Sequence, residues 1–151
     1  MKIFESVDQL REAVGQHMGY SEWQEITQER INLFADATGD HQWIHVDPEA
    51  AAAGPFGTTI AHGYMTLSLI PVLVGGLTPL VAGITMVINY GLNRVRFPSP
   101  VPVGSRVRAG LVLKSVEDVP GGLQIVSEIT IEREGGEKPA CVAETVSRFA
   151  L

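Results

Sequence analysis

The sequence predicts an α+β fold in which an antiparallel sheet packs around one apolar helix. Three observations support this prediction. Helix signals lie in the first half of the 151 residues, strand-like runs fill the second half, and a nearly uniform apolar helix separates them. Helices and strands segregated along the chain are typical of α+β folds. A chain of this length is expected to form one domain, residues 1–151, without help from disulfides or a metal.

The helices of the first half have recognisable ends. Thr27 is a suitable N-cap for a helix that Gly39 would end. Asp47, followed by a proline and a run of alanines, has the form of another N-cap, so its side chain is expected to be structural. Between these helices, residues 40–46 are too polar and irregular for a buried element. We predict a loop there.

The apolar helix spans residues 63–74, where side chains are apolar on nearly every face. This pattern predicts a helix surrounded by protein, with a kink at Pro71. No Asp, Glu, Lys or Arg occurs between Glu49 and Arg94, which raises the question of a membrane segment. Glycines and prolines divide this region into pieces shorter than the ~20 apolar residues of a spanning helix, so no membrane partner is expected.

The second half carries four strand-like runs separated by turns rich in glycine and proline. They cover residues 84–97, 106–116, 123–133 and 140–149. In the third run, isoleucine and leucine side chains alternate with polar ones. Such alternation is typical of an antiparallel sheet with one face in water.

Composition excludes several functions. A net charge of −6 argues against a nucleic-acid partner, because phosphate binding needs clustered Lys and Arg. A single cysteine, Cys141, cannot form an internal disulfide and fits a reducing compartment. No export signal is visible, so a cytoplasmic location is expected. Cys141 lies within an alternating strand and is expected to be a buried, inert thiol. His17 and His41 lack a second ligand at metal spacing, and no metal is expected.

Two polar clusters interrupt the apolar centre: Asp40 with His45, and His62 with Gly63 at the start of the apolar helix. A carboxylate and an imidazole from one loop can position a water and move protons. Free N–H groups at a helix start can polarise a carbonyl oxygen. Together they suggest addition or elimination of water beside a carbonyl. Spacing alone leaves structural alternatives open: Asp40 capping a helix end, His62 as a hydrogen-bonded core residue, and Gly63 permitting close packing.

Residues 34–47, FADATGDHQWIHVD, continued by residues 56–63, FGTTIAHG, resemble the signature of MaoC-like dehydratases, which include (R)-specific enoyl-CoA hydratases. The family pattern is F-A-x-x-T-G-D-x-N-P-I-H, then a glycine-containing loop, then A-H-G at the central helix. Gln42 replaces the usual Asn and Trp43 the usual Pro. These departures concern the shape of the substrate site more than the type of reaction.

The resemblance implies a hot-dog fold and a homodimer. Exposed sheet edges give an independent reason for pairing, because an uncovered edge invites another strand. By the same likeness, Asp40 and His45 hold and activate water, and the Gly63 N–H donates to the thioester oxygen. Gln42 and His62 match positions beside the substrate, although no role follows for His62. The implied reaction is reversible syn hydration of a trans-2-enoyl-CoA to the (R)-3-hydroxyacyl-CoA, without a metal or redox cofactor.

Other functions remain open. The nearest alternative is dehydration of 3-hydroxyacyl groups carried on acyl carrier protein. Four arginines could bind the phosphate groups of either carrier, or could be ordinary solvated strand residues: Arg94, Arg96, Arg106 and Arg108. A thioesterase is less favoured, because the Asp40–His45 pair matches the hydratase loop. A non-catalytic acyl-thioester-binding subunit would be expected to have lost this pair.

Overall fold

The computed structural model describes residues 2–151 and confirms the α+β class. The elements, in chain order, are β1 (Ile3–Phe4), α1 (Val7–Glu12), β2 (His17–Tyr20), β3 (Gln24–Glu25), α2 (Gln28–Thr38), α3 (Trp43–Val46), α4 (Pro48–Ala52), α5 (Gly63–Ser68), α6 (Ile70–Val74), β4 (Leu80–Val81), β5 (Met86–Arg96), β6 (Arg106–Val119), β7 (Gly122–Arg133) and β8 (Cys141–Ala150).

The main sheet is antiparallel, with the strand order β2-β6-β7-β8-β5. Strand β3 also pairs with β6, and β1 and β4 form a separate parallel pair. All four strand runs predicted for the second half are confirmed as β5 to β8. Along β7 the inward-facing residues are buried and the alternate ones are only half-buried. This agrees with the predicted single wet face.

Helices α5 and α6 follow one another across the inner face of the sheet, where Met65 and Leu73 are buried. The helix is interrupted at Leu69, as expected from a proline two residues later that has no N–H to donate. Tyr64 is 72% exposed and Val72 60% exposed. The prediction of a helix enclosed on every side is therefore wrong for one face. Among the described residues, no helix combines the length and apolarity that crossing a bilayer requires.

The predicted helix caps are present. The Thr27 side chain accepts the N–H of Arg30, Gly39 adopts a left-handed conformation with φ of 84°, and the Asp47 carboxylate accepts the N–H of Ala50. The loop prediction for residues 40–46 is wrong in part, because Trp43–Val46 forms a single helical turn. His45 on this turn stacks on His62, the residue directly before α5.

Within the described chain, residues 2–151, strand β5 pairs with β8 alone and forms an edge of the sheet. Apolar side chains on both of its faces lie in water, including Val87, Ile88, Tyr90 and Leu92, which are between 45% and 62% exposed. Isolated exposed apolar residues are ordinary, whereas a contiguous set on a free strand edge marks a surface suited to association.

Candidate active site

Asp40 is the first residue beyond the left-handed end of α2 and is exposed. Its Oδ1 atom accepts the backbone N–H of Gln42 at 3.2 Å. The carboxylate therefore has the local structural role that the sequence left open. Since a carboxylate has about four lone-pair positions, this one bond leaves capacity to hold a water or a substrate group.

His45 lies on α3 and is 6% exposed. Its Nδ1 atom is 2.7 Å from the carbonyl oxygen of Ile60. Because a carbonyl can only accept, Nδ1 must carry the proton, which leaves the lone pair of the neutral ring on Nε2. Burial lowers the pKa of His45 below its ordinary value of 6.5. The imidazole is thus neutral near pH 7 and able to take up a proton.

His62 immediately precedes α5 and is 3% exposed. Its Nε2 atom donates to the main-chain oxygen of Asp40 at 2.9 Å, and its ring stacks on that of His45 with centroids 3.8 Å apart. The sequence favoured a fully hydrogen-bonded core histidine. Instead, Nδ1 of His62 is buried without a hydrogen-bond partner among residues 2–151. The structure therefore brings His62 together with Asp40 and His45.

The possible ligand atoms of Asp40, His45 and His62 lie within 4.8 Å of one another. Their orientation does not fit a shared metal ion. A metal bound to an imidazole lies about 2.0–2.1 Å from its nitrogen, along the lone pair in the ring plane. The two histidine rings are stacked with only 24° between their planes, so these lone pairs do not meet at that distance. The donor set is better suited to holding a water and moving protons.

Gly63 is the first residue of α5, and its N–H has no acceptor within the helix. It lines a groove of about 270 Å³ together with Phe56, Thr66 and Phe97. A Cβ atom on Gly63 would lie 3.2 Å from Cδ2 of Phe97. Close packing against Phe97 is thus one reason for a glycine here. A free donor beside a groove is also the arrangement that stabilises a developing oxyanion.

Gln42 is exposed, and its side chain bonds to no residue of the described chain. The geometry does not link this amide to Asp40, His45 or Gly63. It lies in the same loop as Asp40, and its assignment as a substrate-binding residue stays a prediction.

Sequence reasoning missed Gln28, which anchors the loop that carries His45. Its Nε2 atom donates to the main-chain oxygen of His45 at 2.7 Å, and its Oε1 atom accepts the hydroxyl of buried Thr59 at 2.6 Å. Gln28 thereby ties α2 to α3 and to the segment before α5. Nothing in the local pattern marks it, because a polar residue in the first turn of a helix is ordinary.

Other polar residues lie outside this cluster. Cys141 is completely buried, and burial raises its pKa to about 11, so the thiol is inert as predicted. His41 is exposed and hydrogen bonds to Asp36 at 2.9 Å. Ser68 donates its hydroxyl to the carbonyl of Tyr64 one turn earlier, which is an ordinary helical contact.

Residues 9–133 match the family model described as MaoC like domain. The chain belongs to the MaoC-like dehydratase family. It is 61% identical over 150 residues to the 3-hydroxyacyl-thioester dehydratase Z of Mycobacterium tuberculosis, with 99% of each chain covered. It therefore is an enzyme of the hydratase and dehydratase class, as the sequence predicted.

Solved structures give the same fold. The (R)-hydratase from A. caviae involved in PHA biosynthesis superposes with a TM-score of 0.73 at 27% identity, covering 89% of this chain and 94% of that one. The HadBC complex of Mycobacterium tuberculosis, a (3R)-hydroxyacyl-ACP dehydratase, superposes with a TM-score of 0.72 at 20% identity, covering 90% and 96%. The latter likeness concerns the fold alone. The hot-dog fold implied by the sequence is confirmed.

Proposed function

We propose that this enzyme is an (R)-specific enoyl-CoA hydratase, which adds water reversibly to a trans-2-enoyl-CoA to form the (R)-3-hydroxyacyl-CoA. The observation that carries the proposal is the cluster of Asp40, His45 and His62, whose possible ligand atoms lie within 4.8 Å of one another. His62 directly precedes Gly63, the first residue of α5, so a carboxylate and a neutral imidazole lie close in the fold to a backbone donor that borders the groove. Only the combination of all three suits hydration next to a thioester carbonyl.

The proposed reaction proceeds on one face of the double bond. The carboxylate of Asp40 and Nε2 of His45 hold a water, whose oxygen bonds to C3 while one of its protons passes into the pair. The electrons of the C2–C3 double bond move towards the thioester oxygen, where the Gly63 N–H donates to the developing negative charge. C2 then receives a proton from the pair. Because Asp40 and His45 act together, neither is assigned alone as acid or base.

The second candidate is dehydration of 3-hydroxyacyl groups on acyl carrier protein. It is favoured equally by the 61% identical relative, whose name specifies a thioester and not its carrier. The arginines separate into two groups. Arg106 pairs with Glu134 and Arg108 with Glu132, whereas Arg94 has no acidic partner within 4.0 Å among the described residues.

Arg94 and Arg96 lie at the end of β5, three residues and one residue before the groove residue Phe97. This position suits contact with a phosphate of either carrier. A thioesterase and a non-catalytic binding subunit are disfavoured, because Asp40 and His45 are both retained and lie in one cluster.

We further propose that two copies of the chain associate through β5. The strand offers unpaired backbone groups and exposed apolar side chains at the same edge. The groove beside Gly63 borders the end of this strand at Phe97, so a partner bound there would lie near the substrate.

The decisive experiment compares carriers. Crotonyl-CoA and longer trans-2-enoyl-CoAs are followed by the loss of conjugated thioester absorbance, in parallel with the same acyl groups on acyl carrier protein. We expect kcat/KM to be at least ~10-fold higher with CoA. Higher turnover on the carrier protein would favour the second candidate. The product should be oxidised by an (R)-3-hydroxyacyl dehydrogenase, and exclusive (S)-product or release of free thiol would contradict the proposed reaction.

A further inference from the structure

His62 is the buried imidazole that the proposed reaction does not use. Its ring packs on the rings of Phe34 and His45, with ring centroids 4.9 Å and 3.8 Å away respectively. Its Nδ1 atom is buried without a partner in the described chain. An unsatisfied buried nitrogen is unfavourable, and an apolar ring would fill this space without it. Packing alone therefore does not explain a histidine at this position.

The other ring nitrogen makes a specific bond. Nε2 of His62 donates to the main-chain oxygen of Asp40 at 2.9 Å. The remaining hydrogen bonds of Asp40 are local: its N–H faces the Thr38 hydroxyl at 3.5 Å, and its carboxylate accepts the N–H of Gln42. Both partners lie within two residues of Asp40. Within residues 2–151, the bond from His62 is thus the one that fixes Asp40 to a distant part of the fold.

The same ring touches the second member of the pair. His45 is itself held firmly, since its Nδ1 donates to Ile60 and its carbonyl accepts from Gln28. A ring stacked on His45 and bonded to Asp40 sets the distance between carboxylate and imidazole. We propose that His62 is a positioning residue, whose Nε2–H bond to the Asp40 carbonyl holds the carboxylate against His45. This inference rests on the proposed hydratase function.

Two substitutions distinguish the effect of the hydrogen bond to Asp40 from that of the ring stacking on His45. In His62→Gln, the amide nitrogen occupies about the position of Nε2 and can still donate, but the ring is lost. In His62→Phe, the ring can still stack but the donor is lost. We expect His62→Phe to lower kcat for crotonyl-CoA hydration at least ~10-fold with KM within about 3-fold, because small displacements of reacting groups are costly. His62→Gln should remain within about 3-fold of the parent kcat.

Phe34→Leu is the matched control. It changes the aromatic packing on His62 but leaves the bond from His62 to Asp40 and the stack of His62 on His45 in place. Its kcat should equal that of the parent, even if its melting temperature falls as far as that of His62→Phe. A variant His62→Gln as slow as His62→Phe, or His62→Phe with the parent kcat, would overturn the positioning role.

A second measurement does not depend on activity. In the ¹⁵N-histidine-labelled parent protein, ring nitrogen spectra should show a proton on Nε2 of His62, because only a protonated Nε2 can donate to the Asp40 carbonyl. The Nδ1–H tautomer would refute the bond, including in the event that the variants fail to fold. If the parent hydrates no enoyl thioester but His62 shows the expected proton on Nε2, the proposed function fails while the bond to Asp40 stands.

Discussion

Substituting Asp40 and His45 by asparagine tests whether the pair is chemical or merely structural. Asp40→Asn retains an Oδ1 atom that can accept the N–H of Gln42, so the one side-chain bond that Asp40 makes within residues 2–151 survives. The exposed position makes the expected change in the free energy of unfolding no more than about 0.5 kcal/mol. The substitution removes the charge and the proton affinity, and kcat should fall by at least ~10².

His45→Asn is chosen because the structure shows Nδ1 as the bonded nitrogen. The amide nitrogen of asparagine takes about the position of Nδ1 and can still donate to Ile60, while the reacting Nε2 atom is deleted. Loss of the buried ring should cost about 1–3 kcal/mol of stability. We expect a fall in kcat of at least ~10² per folded molecule, since that corresponds to about 2.7 kcal/mol of barrier.

The assay is hydration of crotonyl-CoA at saturating concentration, with folded fraction and melting temperature measured on the same samples. The double variant should be no more than ~3-fold slower than the worse single variant, because residues that act as one unit are not additive. Variants that are folded and retain more than about a tenth of the parent rate would refute the site. A purely structural role of Asp40 would instead appear as about 0.5–2 kcal/mol of lost stability with normal turnover.

Three further predictions follow from the geometry. Burial lowers the pKa of His45 from 6.5, so the acid limb of kcat/KM for hydration should be centred below pH 6.5. The stability that the neutral buried ring contributes should be lost as the pH falls below 6.5, and this is measured by the melting temperature. An acid limb centred above pH 6.5 would contradict this. Gly63→Ala places a Cβ atom 3.2 Å from Phe97, and the shift needed to relieve this contact should lower kcat/KM ~10-fold or more. Unchanged kinetics would show that Gly63 is not part of the site. Tyr90→Asp on β5 should convert the dimer to monomers, as measured by light scattering. The control Leu33→Asp, at an equally exposed site on α2, should leave the dimer intact. A stable, active parent monomer would exclude assembly through β5.

The fold could be predicted because its signals are local. Alternation of apolar and polar residues marks β7, and the caps at Thr27 and Gly39 depend only on residues a turn away. The short helix α3 was missed because four residues are too few to display a helical period. The exposed face around Tyr64 was missed for another reason. Apolar composition alone does not distinguish a buried core from a surface that lies in water.

Sequence reasoning found candidate site residues from their side-chain types and from a family motif. Asp40 and His45 became candidates because a carboxylate and an imidazole share one loop, and the resemblance to MaoC-like dehydratases favoured a catalytic role over a structural one. The place of His62 depends on the main-chain carbonyl of Asp40, 22 residues earlier, and every residue type supplies the same carbonyl. Gln28 likewise acts through a main-chain oxygen. Because any residue type has a main-chain carbonyl, such a bond does not constrain the residue at the accepting position and cannot be read from the sequence.

The position of β5 in the sheet also affects how the chain is made. The partner strand that the described residues supply, β8, ends about 54 residues after β5 ends. At a synthesis rate of about 5–20 residues per second, β5 would stay unpaired for about 3–10 s on the ribosome, with its apolar side chains exposed. Charged residues beside an apolar strand oppose premature association. Arg94 and Arg96, at the end of β5, would give the nascent strand this protection until β8 is available.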